Sequence, residues 1–240
     1  MSSTSSSSSP SSERKRGPGA IGKAYLFLYN AALCGGWGYI LYLTVMHHVE
    51  GKKNVDLYPK IEKPLQLFQT LAVLEIVHSI LGLVSSPIFT TLMQVFSRLF
   101  VVWFSLNLEH QVKYTETEAI FITTLMVAWC VTEVIRYSFY ALKLYDICPY
   151  IIIWLRYTTF IVLYPLGVSS ELALTYFRLK YVRENRPYSL EMPNPYNMSF
   201  DSYIFVWMVM LSYLPGFPQL YFYMFAQRKK VLAPPKEKSQ

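Results

Sequence analysis

Residues 119–142, AIFITTLMVAWCVTEVIRYSFYAL, contain only two charged side chains, Glu133 and Arg136, three positions apart. An α-helix rises about 1.5 Å per residue, so about 20 apolar residues cross the roughly 30 Å hydrocarbon layer of a bilayer. The stretch is long enough to do so, and a soluble core rarely needs such a run. Further runs lie at 22–46, 65–84, 86–106, 150–175 and 201–225. The fold class expected is an all-α integral membrane protein, a bundle of about six transmembrane helices.

Composition agrees with a lipid solvent. Of the 240 residues, 53% are hydrophobic and 15% charged, against roughly a quarter charged in ordinary soluble domains. The formal charge of +7 is carried by the tails and connections, a placement that suits the flanks of a lipid bilayer. No basic stripe with interleaved aromatics marks a nucleic-acid partner. Cys34, Cys130 and Cys148 are too few for a disulfide framework, and no Cys/His cluster has the spacing of a metal site.

Residues 1–19, rich in serine and then basic at Arg14-Lys15-Arg16, have too little apolar content to order themselves and read as a disordered tail. The apolar run from Ala20 is too long for a cleavable signal and reads as an uncleaved anchor. The helical domain is expected at 20–226 and a basic tail at 227–240. Ser85-Ser86-Pro87 predicts a tight hairpin between the second and third spans. Lysine and arginine counts nearly balance across the two faces, so charge alone does not orient the bundle. Lys236 and Lys238, third and fifth from the end, resemble dilysine retrieval signals read in the cytosol. The sequon Asn197-Met198-Ser199 would then face the lumen.

An ionisable side chain in mid-membrane costs at least about 2.5–3.5 kcal/mol on insertion scales, so each asks for a partner or a purpose. Glu75 and His78 are three apart, as are Glu133 and Arg136, and each pair can neutralise itself on one helix face. Such pairs also serve as ties between helices. Arg98, with Gln94 one turn before it, reads as a tie or an interfacial anchor. In the fifth run Tyr157, Tyr164 and Glu171 recur every seven residues, which returns nearly to one direction on an unbroken helix; Pro165 and Gly167 intervene. A phenol and a carboxyl facing one polar slot can move protons to and from a carbon acid and a hydroxyl. Tyrosines near membrane interfaces are equally ordinary anchors.

The run from Trp154 to Leu172, WLRYTTFIVLYPLGVSSEL, resembles the signature segment of the very-long-chain (3R)-3-hydroxyacyl-CoA dehydratases, also called the protein tyrosine phosphatase-like A family. Leu74-Glu75-Ile76-Val77-His78, Gln94-Val95-Phe96-Ser97-Arg98, Thr132 to Tyr140, Pro193-Asn194-Pro195-Tyr196-Asn197 and Pro218-Gln219-Leu220-Tyr221 extend the similarity over nearly the whole chain after the serine tail. The resemblance implies that Tyr164 and Glu171 form the catalytic pair. Arg156 and Tyr157 are candidates to orient that pair or steady the enolate oxygen, and the polar residues Glu133, Arg136, Glu75 and His78 of the other spans are candidate supporting residues. The resemblance implies dehydration of a long-chain 3-hydroxyacyl-CoA to the trans-2-enoyl-CoA, with no cofactor and no metal. It also implies an endoplasmic reticulum membrane protein with cytosolic termini, working beside the condensing enzyme and reductases of the elongation cycle. Lys143 and Arg228-Lys229-Lys230 are candidates, by charge alone, for receiving the anionic head group.

The Cys130-to-Arg136 segment fits the bare spacing of a phosphatase loop. A phosphate cradle needs converging free backbone N–H groups, whereas this segment is expected to be a continuous helix with its amides already bonded. A non-enzymatic scaffold or a small-molecule transporter is the alternative class. No internal repeat of the transporter kind is present, and both Tyr164 and Glu171 are retained.

Overall fold

The structure is a computed structural model, and residues 19–84 and 86–233 of it are described here. Of the serine-rich tail expected over 1–19, residues 1–18 lie outside the described residues, as do the lysines Lys236 and Lys238. Within them the chain is helical, with one isolated β-bridge between Leu190 and Phe200. The elements are α1 (Ala20–Val49), α2 (Leu57–Leu71), α3 (Leu74–Ile80), α4 (Ile88–Phe100), α5 (Glu116–Lys143), α6 (Tyr150–Arg156), α7 (Phe160–Asn185) and α8 (Ser202–Leu232).

Among the described residues, five helices are long and apolar enough to cross a membrane: α1, α4 with the wider π-helical turns that follow it to Leu106, α5, α7 and α8. The expected span at 65–84 is divided instead. α2 stops at Leu71 and α3 starts at Leu74, and the joint is carried by tighter bonds, Val73 N–H to Thr70 O and Ile76 N–H to Val73 O, both 3.0 Å. α3 closes at Ile80, and two residues on stands Gly82, whose φ of +68° is left-handed backbone that suits glycine. The expected span at 150–175 is also divided, because α6 closes at Arg156 and α7 opens at Phe160.

α5 is the central element, with α1 and α7 both packed on it. Its start is fixed by a capping box: Glu118 N–H donates to Thr115 Oγ1 at 3.3 Å while Thr115 N–H donates to Glu118 Oε2 at 2.7 Å. α1 buries Leu26, Leu33, Trp37 and Ile40 along one stripe, and Trp37 meets Trp129 of α5 edge-on at 6.4 Å. Gly36 lets the Phe68 ring of α2 lie against the α1 backbone, where a Cβ would collide with it. The three cysteines are free; Cys34 Sγ lies 3.1 Å from Ser138 Oγ and so ties α1 to α5.

Candidate active site

α7 carries Tyr164 in its second turn and Glu171 two turns later, about 10 Å along the axis at helical rise. Pro165 lies between them and has no N–H to give to Ile161 O four residues back. That carbonyl is instead met by the hydroxyl of Tyr221 from α8, at 2.9 Å. The helix therefore runs on from Tyr164 to Glu171, and the two share a face. Tyr157 lies outside that register, because the tightened turn at 157–159 separates it from α7; its ring meets Phe139 at 6.2 Å.

Glu171 is buried, and both carboxylate oxygens are engaged. Trp129 Nε1–H of α5 donates to Oε1 at 2.8 Å, and the Tyr213 hydroxyl of α8 donates to Oε2 at 2.7 Å. At Gly167 an added Cβ would stand 3.8 Å from the Trp129 ring, in ordinary contact, so the packing of α7 on α5 does not depend on glycine there. Tyr164 packs edge-on to Phe160 and lines a cavity with Thr132, Arg136, Arg156, Thr159 and Met224. The cavity holds about 20 Å³, room for roughly one water and not for an acyl chain.

Beside the pair lies a tie of four charges from three helices. Arg136 of α5 donates to both oxygens of Glu75 on α3, at 3.0 and 2.9 Å, and its Nε donates to Glu133 Oε2 at 2.8 Å. Arg98 of α4 pairs with Glu133 Oε1, and the Tyr137 hydroxyl donates to Glu75. Two carboxylates and two guanidiniums balance, so none of the four stands as a lone buried charge. Arg98 also stacks over Trp129, 5.2 Å from the ring centre, which links the tie to the donor that holds Glu171.

The local pairing expected for Glu75 and His78 is replaced by these longer-range contacts. Glu75 turns to Arg136, while His78 Nε2 shares a hydrogen bond of 2.9 Å with the Tyr25 hydroxyl of α1 and meets Tyr29 edge-on at 4.7 Å. A guanidinium offering two parallel donors outcompetes an imidazole on the same helix. Arg156 lies at the cavity mouth, donating to the Tyr140 hydroxyl at 3.0 Å and stacked over Phe139 and Tyr140. Sequence reasoning missed Trp129 and Tyr213. Trp129 stands one turn before Glu133 in mid-span, a detectable signal; nothing in the sequence marks Tyr213 among 20 tyrosines.

A family model described as "Protein tyrosine phosphatase-like protein, PTPLA" matches residues 69–234. The chain belongs to this family. It is 46% identical over 220 residues to very-long-chain (3R)-3-hydroxyacyl-CoA dehydratase 2 of Mus musculus, covering 92% of this chain and 85% of the relative. It is 47% identical over 219 residues to very-long-chain (3R)-3-hydroxyacyl-CoA dehydratase hpo-8 of Caenorhabditis elegans, covering 91% and 99%. It is 43% identical over 216 residues to very-long-chain (3R)-3-hydroxyacyl-CoA dehydratase PASTICCINO 2A of Oryza sativa, covering 89% and 95%. No solved structure matches. The phosphatase-like label finds no cradle here: Cys130 is buried within the continuous helix α5, and Arg136 is committed to Glu75 and Glu133.

Proposed function

We propose that the protein removes water from long- and very-long-chain (3R)-3-hydroxyacyl-CoA to give the trans-2-enoyl-CoA, the third step of fatty acid elongation. The relatives' names support the reaction, and one observation supports the site. Glu171 is a buried carboxylate aimed by donors from two other helices, on the helix face that also presents Tyr164 to a cavity.

In this reading Glu171 takes the proton from C2, which the thioester acidifies, and the electron pair moves into the new C2–C3 double bond. The C3–O bond breaks as Tyr164 gives its proton to the departing oxygen, and water leaves. Return of the proton from Glu171 to the Tyr164 phenolate restores the starting state. The opposite division of roles would use the same two residues. No redox change occurs, so the chemistry requires only an acid and a base.

The same reading puts the chain in the endoplasmic reticulum membrane with both termini cytosolic, beside the condensing enzyme and reductases of the elongation cycle. The C-terminal lysines and the family resemblance support this. The test is turnover of a long-chain 3-hydroxyacyl-CoA by the purified protein in liposomes, beside Tyr164→Phe and Glu171→Gln. Enoyl-CoA formation by the wild type, with each variant lower by roughly 10²–10⁴, is expected. Equal turnover by all three would move the site elsewhere, and folded but inactive wild type would favour a scaffold.

A further inference from the structure

α7 and α8 run antiparallel in a register fixed by three contacts: Glu171 with Tyr213, Ile161 O with Tyr221 at 2.9 Å, and Phe160 with Phe225 at 5.1 Å between ring centres. One further turn carries Arg228 to the level of the α6–α7 joint at 156–159. Tyr221, Phe225 and Arg228 are spaced by four and three residues, so Arg228 continues the stripe that faces α7. Met224, one turn before Arg228, lines the Tyr164 cavity together with Arg156 and Thr159.

Three polar donors at this level are buried with no hydrogen-bond partner among the described residues: Arg156 Nε, Arg228 Nε and Thr158 Oγ1. Buried polar groups are nearly always satisfied, so three unmet donors at one level of the bundle, one of them on a residue that lines the Tyr164 cavity, ask for an acceptor. The Arg156 guanidinium is already held in place by Tyr140 and Phe139, and Lys229 and Lys230 follow Arg228 as exposed cations.

We propose that the α6–α7 joint and the last turns of α8 form a phosphate-binding site, with Arg156, Thr158 and Arg228 receiving phosphate oxygens of the CoA part of the substrate. Arginine and hydroxyl donors match phosphate oxygens in geometry and charge. The head group enters at the end of the bundle where α8 terminates, and the thioester and the first carbons of the acyl chain lie along the face of α7 that carries Tyr164 and Glu171. This rests on the dehydratase reading and adds to it the substrate's direction and the residues that recognise its phosphates. A phospholipid headgroup offers the same chemistry at a membrane surface, and the experiment separates the two.

The measurement is the ratio of kcat/KM for a 3-hydroxyacyl-CoA to that for the matching 3-hydroxyacyl-pantetheine, which lacks every phosphate. It is made on the wild type, Arg228→Gln, Arg228→Lys and Thr158→Val in liposomes free of anionic lipid. Arg228→Gln should cut the ratio roughly ten- to hundredfold, as loss of a hydrogen bond to a charged group predicts, with partial recovery in Arg228→Lys. Thr158→Val should lower it less. An unchanged ratio overturns the proposal, whether both substrates slow together, as damage to the bundle would cause, or neither does, as a lipid headgroup site would cause. A wild type that turns over neither thioester overturns the dehydratase reading itself, and the proposal with it.

Discussion

A carboxylate enclosed by helices and gripped at both oxygens has little freedom to be elsewhere, and Glu171 is in that position. Its two donors make different predictions from the pair itself. Trp129→Phe keeps the ring against Trp37 and Arg98 but removes the Nε1–H, so Glu171 should lose aim. A hydrogen bond to a charged acceptor contributes about 1.5–3 kcal/mol, so kcat should fall roughly ten- to hundredfold with KM little changed. Tyr213→Phe should lower kcat far less, because Tyr213 is the donor that gives way when substrate enters while Trp129 stays, and steady-state kinetics on both variants checks it. At this scale the sequence carried Tyr164 and Glu171 through the family resemblance. Trp129 and Tyr213 stayed hidden because a donor on another helix becomes a neighbour only when the bundle closes. The partner of Glu75 stayed hidden for the same reason: the nearest candidate in sequence, His78, is not the partner in space.

At the scale of elements, the apolar runs located the spans because hydrophobic length follows directly from the thickness of a bilayer. The breaks at Ala72–Val73 and 157–159 were not legible, since no proline or glycine stands at either joint and both are set by packing. The Pro165 site was half legible: the sequence announced a lost backbone bond but not the hydroxyl that replaces it. Tyr221→Phe should leave Ile161 O unmet and lower both thermal stability and turnover. Pro165→Ala, which restores an N–H four residues after Ile161, should recover much of that loss in the double variant. If Tyr221→Phe is equally harmful with or without proline, the carbonyl is not what Tyr221 serves. Gly36→Ala should drive Phe68 away from α1 and cost about 1–3 kcal/mol of stability, and adding Phe68→Leu should relieve part of it. Thermal melting in detergent reads both effects.

At the scale of the whole molecule, the four charges of Glu75, Arg98, Glu133 and Arg136 bind α3 and α4 to α5. Arg136→Met leaves two carboxylates with one guanidinium between them and should destabilise the fold by about 3–5 kcal/mol. Arg136→Met combined with Glu75→Gln should be milder than the single change, because it returns the tie to balance; a double variant worse than the single one would rule that account out. The unbroken arrangement of helices around α5 was foreseeable only as a bundle. Which helix covers which depended on charged pairings 35 and 61 residues apart in sequence.

α8 is the least enclosed of the five long helices, yet it supplies the hydroxyl that holds one oxygen of Glu171. The cavity at Tyr164 is too small for a substrate, so a helix that lines it would have to yield before anything long entered, and α8 is the one with the least packing to lose. That displacement would strip Tyr213 from Oε2 while the rigid pairing with Trp129 keeps Oε1 in place. Admission and arming would then be a single stroke: the base is latched while the bundle is empty and released by the guest it is meant to attack. A reversible disulfide engineered across the α7–α8 seam should arrest turnover and a reductant should restore it. Undiminished turnover with the seam locked would show that the latch and the door are separate parts.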